Sequence, residues 1–258
     1  MTIRAVVFDL GHTLWDITPQ PDALARAYVE MRATLVQRLD RDDLPEPGAF
    51  QHAVRDVLHD AAKTYVMDGI DLREPPPHEW IDAACRRLGL EVEEPLLREI
   101  TPPLFSTEID GLVVGDGTVE AVTALASAGI GIGCITNTLA DTAAIRAMLR
   151  RYELEDVMVS VVVSTEEGWR KPHRALFEKS LRELNVHPAE AVFVGDSPMH
   201  DVGGAKGAGM FALLTHQYVQ RAYPDDVPPP DAVIGHVREI RGVLERIDAC
   251  GAPTRDGR

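Results

Sequence analysis

The chain has 258 residues, enough for one large domain or two modest ones with a sizeable core. Apolar residues make up 45% and charged residues 26%, ordinary globular usage that argues against disordered, fibrous and disulfide-scaffold classes. Lys plus Arg total 26 against 41 Asp plus Glu, and the net charge of −15 repels polyanions, which counts against nucleic acid and anionic membranes as partners. Cys85, Cys134 and Cys250 are scattered without a CxxC spacing, so zinc or redox pairing is not indicated and a reducing compartment is expected. No apolar run reaches the roughly 18 residues of a membrane span, and the N-terminus lacks a signal peptide's apolar stretch. A cytoplasmic address is the expectation.

In chain order, β-branched and apolar runs at 3–8, 131–135, 157–163, 191–194, 210–214 and 232–234 read as buried strands. Helical spacing fills several of the gaps: Val119, Val122 and Leu125; Ile145, Met148 and Leu149; Leu176, Leu181 and Leu184; Val237, Ile240 and Leu244. Such alternation predicts an α/β fold, a three-layer Rossmann-like parallel sheet with helices on both faces. Between about 17 and 109 the strand signals vanish. Three amphipathic helices are expected there, around Tyr28, Met31 and Leu35, around Phe50, Val54 and Val57, and around Trp80, Ile81 and Ala84. Prolines punctuate the joints, with Pro102 and Pro103 closing the stretch before strands resume near Leu112. The expected organisation is a sheet core of 1–16 and 110–258 with a helical cap of 17–109.

Ligands of open parallel sheets gather at the carboxyl ends of the strands. The residues there are Asp9, Gly11, His12 and Thr13 after the first strand, Thr136 and Asn137 after the second, and Asp196, Ser197 and then Asp201 after the fourth; Lys171 follows the third. Three carboxylates at one edge repel one another, and a hard divalent cation, Mg2+, is the remedy their oxygens suit. One carboxylate then attacks an electrophile while the cation and Lys171 offset the charge of a phosphoryl group, with Thr136 and loop amides holding its oxygens.

Taken singly, Asp9 reads as a turn residue, Thr136 and Asn137 as helix caps, and Asp201 as a cap of the helix through Ala205. Together, the segments FDLGHTL, ITNT, GWRKP and VGDSPMHD, in that order, resemble the four motifs of the haloacid dehalogenase (HAD) superfamily of hydrolases. The resemblance covers 2–16 and 112–234, and the insert looks like the helical cap of many members. It implies that Asp9 is the nucleophile forming a covalent aspartyl intermediate, Thr136 binds the transferring group with Gly11 and Asn137 beside it, and Lys171 balances charge. It implies further that Asp9, the Gly11 carbonyl, Asp196 and Asp201 hold Mg2+, and that the partner is a small phosphorylated metabolite.

One departure stands out. Phosphatases of the superfamily usually carry a second aspartate two residues after the nucleophile as general acid, a group that contributes about 10²- to 10⁴-fold in rate; here that residue is Gly11. His12 is a candidate replacement, with a structural role as its rival. Besides a Mg2+-dependent phosphatase, the sequence leaves open a metal-independent haloacid dehalogenase-type hydrolase, a phosphonate-cleaving hydrolase using Lys63, and a catalytically silent phosphate-ligand-binding protein. Lys63, His52, His59 and His78 otherwise read as solvated surface, and Trp15 and Trp169 as packing residues. The insert, starting just after the nucleophile loop, is expected to hinge over the sheet edge.

Overall fold

A computed structural model describes residues 2–67 and 72–251. In chain order, β1 (Ala5–Phe8) and β2 (Trp15–Ile17) precede α1 (Pro21–Leu39), α2 (Pro47–Met67), α3 (Pro77–Arg87), α4 (Glu94–Ile100) and α5 (Pro102–Phe105). There follow β3 (Leu112–Val114), α6 (Thr118–Ser127), β4 (Gly131–Thr136), α7 (Thr142–Arg151), β5 (Met158–Val163), α8 (Ser164–Glu167) and α9 (Arg174–Leu184). The chain continues through β6 (Ala191–Gly195), α10 (Gly204–Gly207), β7 (Phe211–Thr215), β8 (Ala232–Ile234) and α11 (Ile240–Gly251).

The main sheet is parallel, ordered β5-β4-β1-β6-β7-β8. In β1, Val6 and Phe8 point into one apolar layer and Ala5 and Val7 into the other, so both faces are covered and the strand carries no polar alternation. One layer is closed by Val122 of α6, Ile145 of α7 and Val243 of α11, the other by Phe177 of α9 and Ala205 of α10. The three-layer expectation holds. The sheet fills outward from β1 to β5, then returns to β6 on the other flank of β1, so the order reverses between β1 and β6 and opens the crevice at their carboxyl ends. The Asp9 N–H extends the ladder by bonding the Val194 carbonyl at 2.8 Å, which sets Asp9 at the lip.

The insert differs from the sequence reading in detail. Among the described residues it contains five α-helices where three were expected, around an apolar cluster of its own that includes Tyr28, Leu35, Phe50, Ile81 and Leu97. Seven-residue α4 and four-residue α5 are too short to print a periodic pattern. Pro47, Pro77 and Pro102 start helices here, because a first-turn residue has no intrahelical use for the missing N–H. Pro102 thus opens α5 where the stretch was expected to close. His78, expected on the surface, is buried in the first turn of α3. Strands β2 and β3 pair antiparallel as a separate ribbon, Trp15 opposite Val114, where the chain leaves and re-enters the sheet layer. The 112 region therefore lies outside the main sheet. Among the described residues no helix is long and apolar enough to cross a membrane.

Candidate active site

Asp9, Gly11, Thr136, Asn137, Lys171, Asp196 and Asp201, which come from four separate stretches of sequence, line one pocket of about 390 Å³ at the crevice. Lys171 joins them. Its buried ammonium donates to Asp9 Oδ1 at 2.6 Å and to Asp201 Oδ1 at 2.7 Å, and lies 5.4 Å from the centroid of the Phe193 ring beneath. The lysine main chain is clamped by Asn137, which accepts its N–H at 2.8 Å through Oδ1 and donates from Nδ2 to its carbonyl at 3.2 Å. The Asn137 amide is thus engaged in positioning Lys171, and the cap of α7 is Asp141. Asp201 is fixed from the other side by the Ser197 N–H, which bonds Oδ2 at 2.8 Å. Gly195 is required for that approach, since a Cβ there would lie 2.3 Å from the Asp201 carboxyl carbon.

Burial raises the Asp9 pKa to about 7; Lys171 opposes the shift, while Asp201 and Asp196 reinforce it. Burial presses the Lys171 pKa down, but Asp201 and Asp9 together outweigh it and hold the ammonium protonated well above its ordinary range. Asp196 accepts from Arg221 Nε at 2.5 Å through Oδ2. Lys171 and Arg221 are therefore two cations against three buried carboxylates, and buried charge without a partner is strongly disfavoured. One oxygen from each of Asp9, Asp196 and Asp201 falls within 4.8 Å of the others. An all-oxygen, net-negative donor set of this kind suits a hard divalent cation such as Mg2+ or Ca2+.

Some participants were not visible in the sequence. Arg221 follows β7 with no motif around it and reaches Asp196 only through the fold. His12 has φ of 57°, a left-handed conformation uncommon for a side-chain-bearing residue, and its Nδ1 lies 2.8 Å from Asp16 Oδ1. Both His12 and Trp15 line the pocket, whereas Trp169 stacks on His173 with centroids 4.0 Å apart and is not among its lining residues. The side chain of Lys63 lies outside the described residues.

A strap from the insert reaches the lysine loop. Residues 72–74 run antiparallel to 168–170: the Arg170 N–H bonds the Leu72 carbonyl at 2.7 Å and the Glu74 N–H bonds the Gly168 carbonyl at 3.0 Å. The fully buried Glu74 carboxylate accepts from Arg170 Nη1 at 2.7 Å and from Ser164 Oγ at 3.1 Å. Any hinge motion of the insert over the sheet edge has to carry the Lys171 loop with it or break these bonds.

The raised Asp9 pKa gives cation binding a defined pH dependence. Asp9 binds its proton more tightly when folded than the ordinary 3.8, so cation-free stability falls as pH rises from about 4 towards 7. A cation takes the deprotonated carboxylate, so below about pH 7 it must displace that proton. The rise in Tm on adding Mg2+ is expected to be larger at pH 8 than at pH 5.5; thermal melts with equal increments would contradict the assignment.

Residues 3–209 match the haloacid dehalogenase-like hydrolase family. Over 249 residues, 95% of this chain and 98% of its own, a glyceraldehyde 3-phosphate phosphatase of Methanopyrus kandleri is 28% identical. A ribulose-1,5-bisphosphate 5-phosphatase of Halopiger xanaduensis is 28% identical across 81% of this chain and 83% of its own. Among solved structures, a 2-haloacid dehalogenase from Pseudomonas syringae pv. Tomato superposes with a TM-score of 0.63 at 25% identity, covering 95% of this chain and 99% of that one. With the motifs and the sheet order already in place, the match over most of the chain makes this protein a member of the haloacid dehalogenase-like hydrolases.

Proposed function

We propose that this hydrolase is a Mg2+-dependent phosphatase of small phosphorylated metabolites, working in the cytoplasm through an aspartyl-phosphate on Asp9. The observation that carries the reading is the buried Asp9–Asp196–Asp201 cluster with Lys171 bridging two of its members. The curated relatives named above are phosphatases of phosphorylated sugars, which supports the same class. In this reading residues 1–16 and 110–258 form the catalytic core, and 17–109 the cap that shields the site from water.

The chemistry divides between two half-reactions. A deprotonated Asp9 oxygen attacks phosphorus, forming the acyl-phosphate bond while the ester P–O bond breaks; water then attacks phosphorus and frees the carboxylate as inorganic phosphate leaves. Lys171 holds the other side of Asp9 and offsets negative charge, and the Thr136 hydroxyl binds phosphoryl oxygens. Asp9, the Gly11 carbonyl, Asp196 and Asp201 would hold Mg2+, which when bound supplies positive charge against the phosphoryl oxygens. His12, oriented by Asp16, gives the leaving oxygen its proton in place of the aspartate absent at Gly11.

Asp9→Asn should abolish phosphate release from a panel of phosphomonoesters, and chelation should abolish it in the wild type. A second reading, displacement at carbon as in the haloacid dehalogenases, is favoured by Gly11, since no leaving-group acid is then needed. Halide release that survives chelation, without Asp9-dependent phosphate release, would replace the first reading by the second.

The acid's position yields a sharper prediction. A Cβ at Gly11 meets nothing within 4 Å, and the residue needs no left-handed backbone, so an aspartate fits there. His12→Gln should depress turnover of alkyl phosphates by about 10²-fold or more and of p-nitrophenyl phosphate far less, because nitrophenolate leaves unprotonated. Adding Gly11→Asp should restore most of the alkyl phosphate rate. Steady-state kinetics showing equal losses for both leaving groups would remove His12 from the mechanism.

A further inference from the structure

A second cavity of about 610 Å³ lies between the insert and the loop after β4. It shares Asn137 and Thr138 with the pocket that contains Asp9, so a ligand whose phosphoryl group sits at Asp9 has adjoining space for the rest of its body. Together the two spaces are in the range of a pocket that takes a whole ligand.

Its basic side chains come from one helix. Gln51, Arg55 and Leu58 recur at i, i+4 and i+7 along α2, with His52 beside them, so these side chains project to one side of the helix. The lining also includes the apolar Leu104 and Phe105 and the buried Tyr28. Among the described lining residues there is no Asp or Glu, in a chain whose net charge is −15. Arg55 has Asp56 as an ion-pair neighbour at 3.4 Å, but both side chains are more than half exposed, and such pairs bind weakly. The guanidinium is therefore available to a stronger anion in a pocket with no carboxylate of its own.

We propose that this cavity binds the far end of the substrate and that this end carries a second anionic group, a carboxylate or a second phosphate, recognised by Arg55 and His52. The proposal rests on the phosphatase reading and narrows it to extended phosphomonoesters with two anionic ends. Glyceraldehyde 3-phosphate, the substrate named for several relatives, has no second anion and would be a poor ligand here.

The test is calorimetry on the full chain with Mg2+ present, using ω-carboxyalkylphosphonates of graded chain length against alkylphosphonates of the same lengths. At the length that spans both pockets, the carboxylate should tighten binding by about tenfold or more, the scale of one hydrogen bond between charged groups. Arg55→Gln with His52→Gln, both on the exposed side of α2 and so compatible with folding, should erase that preference. If alkylphosphonates bind and the carboxylate adds nothing at any length, or if the preference survives in the double variant, this inference alone is overturned. If no phosphonate binds, the phosphatase reading falls with it.

Discussion

Everything at this sheet edge depends on one ammonium buried among carboxylates. Asp9, Asp196, Asp201 and Lys171 are each less than a tenth exposed, a placement that a soluble protein tolerates only when the charges are paired. Lys171 pairs with two of the carboxylates and Arg221 with the third, which leaves an excess of one negative charge. That excess has two consequences. It adds to the burial that raises the Asp9 pKa to about 7 in the absence of a cation, and it makes the cluster a receptor for positive charge. Asp9, Lys171 and the candidate cation site are thus one electrostatic unit.

The surrounding fold exists to hold that unit still. Gly195 permits the Asp201 carboxylate to press against β6, Asn137 clamps the main chain of Lys171, and the β1–β6 reversal brings Asp9 and Asp196 together. The insert participates through its strap, since buried Glu74 joins Arg170, the residue immediately before the lysine. Cap position and lysine position are therefore mechanically linked. The same insert lines the second cavity with Arg55 and His52.

Much of this was legible in the sequence, for physical reasons specific to each residue. Asp9, Thr136, Lys171 and Asp196 each follow or end a buried strand or lie on the loop after one, and a parallel sheet places such residues at one edge. The strands of the main sheet were visible because burial on both faces leaves continuous apolar runs. What escaped is whatever depends on tertiary contact or on very short elements. Arg221 and Glu74 have no local signature, because their partners lie 25 and 96 positions away in the chain. Helices α4 and α5 and the three-residue strand β2 are below the length at which periodicity appears. Pro102, read as closing the helical stretch, proved to open α5, a distinction that depends on which side of the residue the helix lies.

The central claim is that an Asp9 oxygen becomes covalently bonded to phosphorus during turnover. The direct measurement is rapid quench of the enzyme turning over a phosphomonoester with Mg2+, borohydride reduction of any acyl phosphate, and mass spectrometry of the peptide bearing residue 9. Conversion of Asp9 to homoserine, dependent on substrate, is the result this account predicts. Sustained phosphate release with that aspartate unmodified at every quench time would contradict it.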